Sequence, residues 1–211
     1  MKSLLYISAS LFGDSGHSTR LANRFVENLL AQRQGSQHQG SLVRRNLADE
    51  PIPHIDAERF SAFTTPAQER SAAQQAVAAL SDQLINEWRE SDLVVIGLPM
   101  YNLGIPSTLK SYIDHIARAG ETFRYTENGP VGLLQDRKVY VIATRGGQYQ
   151  GTPLDTQTEY VRHIFGLMGI TDIEFIYAEG LNMGEPVADP ALQQAEGKLI
   201  ELARLTRTDA A

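Results

Sequence analysis

Leu93-Val94-Val95-Ile96-Gly97-Leu98 runs directly into Pro99-Met100-Tyr101-Asn102-Leu103-Gly104-Ile105-Pro106. The first six residues carry no polar side chain, the mark of a parallel strand covered on both faces. The following segment, with two prolines and a glycine, is a stiff, shaped loop. Residues 3–8 and 138–144 share the apolar character of residues 93–98. Residues 41–47 are more polar, with Arg44, Arg45 and Asn46, which suits a sheet edge, and residues 173–177 are intermediate.

Helical patterns alternate with these runs. Leu21, Phe25 and Leu29, with Ala22, Val26 and Leu30 beside them, form a stripe after the first strand. A longer helix is predicted to open at Thr65-Pro66-Ala67-Gln68, with Thr65 as cap and Gln68 as its reciprocal partner. Its stripe is Ala73, Val77, Leu80, Leu84 and Trp88. A third helix is expected over residues 107–119, with Leu109, Tyr112, Ile113 and Ile116 inward and Gly120 as a left-handed stop. A fourth spans residues 155–168 before Gly169, and a last runs from Asp189-Pro190 to about residue 206. Strand followed by helix, five times over, predicts an α/β doubly wound parallel sheet with helices on both faces. Five strands fit the flavodoxin-like order 2-1-3-4-5, and with no repeat or linker residues 1–211 read as a single domain. Residues 48–64, 121–136 and 178–188 are longer than simple turns, so function or an interface is expected there.

The chain has 211 residues, is 42% apolar and 21% charged, and carries 19 basic against 25 acidic residues, a net charge of −6. This is globular composition, and an acidic chain without a basic patch is a poor nucleic-acid binder. The absence of cysteine excludes disulfides, thiolate catalysis and thiolate metal centres. No apolar run approaches a membrane span and the N-terminal run is too short for a signal peptide, so no membrane partner and a cytoplasmic location are expected.

Ligands of an open parallel sheet bind beyond the carboxyl ends of the strands, where strand order reverses. Three segments lie there. After the first strand come Ser8-Ala9-Ser10 and Gly13-Asp14-Ser15-Gly16-His17-Ser18, hydroxyl residues and glycine entering a helix. That pattern suits a phosphate bound by neutral donors, and equally an ordinary turn with its cap. A G-x-G-x-x-G fingerprint is absent. Gly13-Asp14-Ser15 resembles a hydrolase nucleophile block, but no Asp-x-x-His follows near the C-terminus. After the third strand, Met100, Tyr101, Asn102 and Leu103 offer an apolar surface and one amide, which both donates and accepts against a heterocycle edge. After the fourth, Thr144-Arg145-Gly146-Gly147 lets backbone approach a planar ligand, with Arg145 either near it or simply solvated. A phosphate socket, an apolar–amide wall and a glycine-rich edge together describe a mononucleotide with a flat ring, and a flavin fits.

The block Pro99-Met100-Tyr101-Asn102, the run Arg118-Ala119-Gly120-Glu121-Thr122-Phe123-Arg124-Tyr125-Thr126-Glu127-Asn128-Gly129-Pro130, and Thr144-Arg145-Gly146-Gly147, with Ser8-Ala9-Ser10, resemble the FMN-dependent NADH-azoreductase/quinone reductase family. Phe165-Gly166-Leu167-Met168-Gly169 and Ala178-Glu179-Gly180 extend the likeness over nearly the whole chain. The resemblance implies an FMN phosphate site at Ser10, Gly16, His17 and Ser18, and a ring site at Met100, Tyr101, Asn102, Leu103, Thr144, Arg145, Gly146 and Gly147. It implies tightly bound FMN, NADH or NADPH as donor, quinones and azo compounds as acceptors in a ping-pong reaction, and a homodimer with FMN sites at the interface. Tyr125, Phe60 and Phe63 are the expected pocket walls for substrate. Thr144 stands where many members have Ser, and His17 where Gln is common. The other histidines, His38, His54, His115 and His163, have no metal-site spacing and read as satisfied surface or core residues.

Two rival functions share this fold class. A flavodoxin-type electron carrier would show almost no NAD(P)H turnover of its own, and the length of residues 121–136 argues against it. A phospho-receiver needs clustered acids after the first strand, where Ser8-Ala9-Ser10 stands instead.

Overall fold

Along each central strand, alternate side chains enter two separate apolar cores. The computed structural model describes residues 3–32 and 41–208; His38 lies outside them. Strands β1 (Leu4–Ser8), β2 (Leu42–Asn46), β3 (Leu93–Pro99), β6 (Lys138–Thr144) and β7 (Ile173–Ala178) form one parallel sheet ordered β2-β1-β3-β6-β7. Counting only its own strands, that is the order 2-1-3-4-5. The remaining strands, β4 (Phe123–Thr126) and β5 (Gly129–Gly132), pair as an antiparallel hairpin.

Helices α1 (His17–Ala31) and α6 (Glu185–Thr208) cover one face, and Leu4, Tyr6, Val95 and Ile142 pack there with Phe25, Val26, Leu199 and Leu202. On the other face Leu5, Ile7, Val94, Ile96 and Val141 meet α3 (Ala72–Glu90), α4 (Ser107–Ile116) and α5 (Thr158–Leu167). Full burial of both faces is why residues 93–98 show no polar alternation. Trp88 and Tyr112 anchor the second core; the indole N–H donates to the Tyr112 hydroxyl at 2.8 Å. Gly97 lets α1 approach β3, because a Cβ there would lie 3.3 Å from the Ser18 carbonyl oxygen. No helix among the described residues is long and apolar enough to cross a membrane.

Several element boundaries differ from the sequence expectation. The long helix does not open at Thr65-Pro66-Ala67-Gln68. Residues 48–64 hold their own helix, α2 (Ala57–Thr64), and the Thr65 hydroxyl donates back to the Ser61 carbonyl at 2.8 Å, closing α2. A single 3₁₀ turn, Ala67–Glu69, follows, and the working capping box is Ser71 with Gln74. Helix α4 stops at Ile116, short of Ala119, because the Thr122 hydroxyl takes the Ile116 carbonyl at 2.6 Å and accepts from the Arg118 N–H. Gly120 is left-handed (φ 85°) as expected, but it serves the turn into the β4–β5 hairpin rather than the helix end. Helix α5 begins at Thr158 and not Asp155, while α6 begins at Glu185 and carries Pro190 inside it.

Candidate functional site

Gly16 precedes α1 and offers no side-chain cap, so the first N–H groups of a 15-residue helix are left for another acceptor. Gly16 is glycine for a local reason: a Cβ would strike the Ser10 hydroxyl oxygen at 2.1 Å. Ser10 and Ser18 are both buried. The hydroxyl of Thr19 is already paired with Ser8 at 2.9 Å, whereas the buried Ser18 Oγ has no hydrogen-bond partner. An unpaired buried hydroxyl costs about 1–3 kcal/mol, so a ligand acceptor at this position recovers that cost. The donors are neutral and converge, which suits a phosphate monoester.

These groups line a cavity of about 390 Å³ at the carboxyl end of the sheet, between β1 and β3, where strand order reverses. Larger cavities occur elsewhere; one of about 530 Å³ lies at the opposite end around Arg137 and Lys138, whose charges are spent on backbone carbonyls and on Asp172 and Glu174. Of the residues expected at the ligand, Ser10, Gly16, His17, Ser18, Met100, Tyr101, Thr144, Arg145 and Gly146 all line the 390 Å³ cavity. Asn102, Leu103 and Gly147 do not; they stand on the same two loops just beyond its lining. Tyr125, Phe60 and Phe63 are also outside it. Tyr125 is 75% exposed on β4 and Phe60 is exposed on α2, while Phe63 turns inward against the His115 ring and the Arg118 guanidinium.

The loop after β3 is a tight turn in which Tyr101 and Gly104 exchange two backbone hydrogen bonds, of 3.1 and 2.9 Å. Both central residues are left-handed, Asn102 at φ 50° and Leu103 at φ 61°. Asn tolerates that region; a leucine there stores about 1–2 kcal/mol of strain. The Tyr101 hydroxyl accepts from the Leu11 N–H at 3.2 Å and lies 3.4 Å from Ser10 Oγ, tying the loop to the socket.

After β6, the Gly146 and Gly147 carbonyls are taken by the N–H groups of Asn182 and Gly180, each at 2.9 Å. Their own N–H groups find no backbone acceptor among the described residues. Arg145 is not solvated. Its side chain is 0% exposed and is held by Asp155 at 2.6 Å, Glu179 at 3.0 Å and the face of Tyr177. Burial would raise the Asp155 carboxyl, but bonds from Arg145 and Thr158 hold it below its ordinary value. Arg145 therefore braces the loop from below.

His17 sits at the exposed rim with Nδ1 2.8 Å from the Arg20 guanidinium, which donates to it. Partial burial and the Arg20 charge lower its pKa, so a protonated imidazole is disfavoured. His115 is buried with Nδ1 on the Ser111 carbonyl, His54 pairs with the Ser111 hydroxyl, and His163 is exposed near Glu159.

Sequence reasoning missed Phe12, Ser15, Leu181 and Asn182 in the cavity lining. Leu181 and Asn182 follow β7 at the same end of the sheet, within a segment already singled out by its length. Gln157 was also missed; its amide nitrogen donates to the Pro99 and Gly104 carbonyls, each at 2.9 Å.

Residues 2–203 match a family model described as flavodoxin-like fold. A protein of Cellvibrio japonicus named FMN-dependent NADH:quinone oxidoreductase is 55% identical over 185 residues, 88% of this chain and 91% of that one. One of the same name from Alcanivorax borkumensis is 52% identical over 93% of this chain and 98% of its own length. Among solved structures, an FMN-dependent NADH-azoreductase from Bacillus anthracis in complex with FMN superposes with a TM-score of 0.86 at 30% identity, covering 98% and 100% of the two chains.

Proposed function

The chain belongs to the flavodoxin-like family of FMN-dependent NADH:quinone oxidoreductases and azoreductases, and from that membership we propose that it binds FMN at the β1–β3 cavity and uses NADH to reduce quinones, with azo compounds as further acceptors. The single observation that carries the site is the unpartnered, buried Ser18 hydroxyl beside the uncapped start of α1. Ser10, Gly16, His17 and Ser18 would hold the phosphate. Met100, Tyr101, Thr144 and Gly146 would flank the ring, with Asn102, Leu103, Arg145 and Gly147 completing the loops that carry them.

FMN held by these residues would supply the redox chemistry, hydride exchange with NADH and with the acceptor. The protein's part is to orient and to stabilise charge. The free N–H groups of Gly146 and Gly147 would stabilise negative charge on a ligand edge, in a loop already pinned by its carbonyls. Hydride exchange itself asks no side chain to transfer a proton. Donor and acceptor would use one open side of the cavity in turn, giving ping-pong kinetics.

A homodimer suits the exposed apolar side chains Leu11, Phe12 and Leu103, which stand on the loops that build the cavity. Tyr125 and Phe60 would then wall a neighbouring chain's site. The test is initial-rate kinetics with NADH and a small quinone. Parallel double-reciprocal lines are expected; intersecting lines would contradict alternating occupancy, and absence of steady turnover would return the carrier reading.

A further inference from the structure

Asp155, Thr156 and Gln157 lie outside the cavity, yet each touches one of the two loops that form its ring side. Asp155 accepts from Arg145 after β6. The Thr156 hydroxyl donates to the Leu103 carbonyl after β3. Gln157 is wholly buried, and its amide NH₂ spends both hydrogens on that same loop, one on Pro99 O and one on Gly104 O, either side of the left-handed turn. Its carbonyl oxygen Oε1 is buried without a partner. A buried amide that leaves its acceptor unpaired is there for its two donors, and among neutral side chains only Asn and Gln present two hydrogens from one atom.

We propose that Gln157 is a positioning residue for the cofactor: by clamping both ends of the 99–104 loop it holds the left-handed Asn102-Leu103 turn in the form that flanks the flavin. The turn is strained, so without the clamp it relaxes toward ordinary backbone, and Met100 and Tyr101 move with it. Asp155 and Thr156 extend the same strut to both loops, fixing the width between them. The inference rests on the FMN reading of the cavity.

The test compares apoprotein of the wild type, Gln157→Glu and Gln157→Met by FMN fluorescence titration between pH 5 and 8, with melting temperatures measured in parallel. Gln157→Glu keeps the shape but sets a carboxylate against two carbonyls. Its FMN affinity relative to wild type is expected to fall about tenfold or more at pH 8, and to recover at pH 5 as the carboxyl gains a proton and donates to one carbonyl. A merely space-filling role would give no such pH-dependent ratio, and that result overturns the proposal, as does wild-type affinity throughout. Should Gln157→Glu fail to fold, Gln157→Met decides. A tenfold loss of FMN affinity with an unaltered melting temperature supports the clamp, and affinity within twofold of wild type overturns it. If the wild-type apoprotein itself does not bind FMN, the cavity assignment fails, and the clamp falls with it.

Discussion

Ser18 separates a binding role from a structural one more cleanly than any other side chain in the cavity. Its hydroxyl is buried and unpaired, so Ser18→Ala removes a desolvated group that gains nothing within the chain. The variant is expected to melt at the wild-type temperature or slightly above it, while FMN affinity drops roughly tenfold. Equal FMN binding in a calorimetric titration would remove the phosphate from this place. The Ser-Gly-rich entry to α1 was legible in the sequence because hydroxyl and glycine residues before a helix have few uses. The sequence could not distinguish Ser18 from Thr19, since the difference lies in Ser8 across the strand. The sequence left Arg145 open between a place near the ligand and solvent, because its partners Asp155 and Glu179 come from other segments of the chain.

At the scale of elements, the apolar strands were readable almost to the residue, because burial on both faces leaves no alternation to misplace. The start of α3 was not. Two capping signatures, Thr65…Gln68 and Ser71…Gln74, lie six residues apart, and the choice between them depends on whether α2 exists to use the Thr65 hydroxyl. The β4–β5 hairpin was anticipated only as a long functional segment. Its packing depends on Gly132, whose added Cβ would lie 2.2 Å from the Gly169 backbone nitrogen. Backbone cannot yield as a flexible side chain does. Gly132→Ala is therefore expected to destabilise the protein by about 1–3 kcal/mol in denaturant unfolding. A change within ~0.5 kcal/mol would show that the hairpin is free to shift.

For the whole molecule, the topology and the end of the sheet that carries the cavity followed from strand count and the switch-point rule, whereas the clamp formed by residues 155–157 depends on contacts between distant loops. Stability should depend on pH through His115. Burial lowers its pKa in the folded chain, so the unfolded chain takes up protons first as pH falls. The melting temperature is expected to decline from about pH 7 to pH 5, beginning near the ordinary histidine value of about 6.5. His115→Gln should flatten that decline; an unchanged slope would exclude His115 as its source. His17, lowered in the same direction, contributes in the same window. The depressed Asp155 and Asp136 carboxyls add losses only at more acid pH, below about 4.

Anaerobic titration of the purified, FMN-reconstituted protein with NADH, followed by a quinone, measures the central claim directly. The visible flavin spectrum is expected at one FMN per chain, bleaching on addition of one equivalent of NADH and returning on addition of one equivalent of quinone. A protein that takes up no FMN, or one whose bound FMN stays oxidised in NADH, would contradict the account.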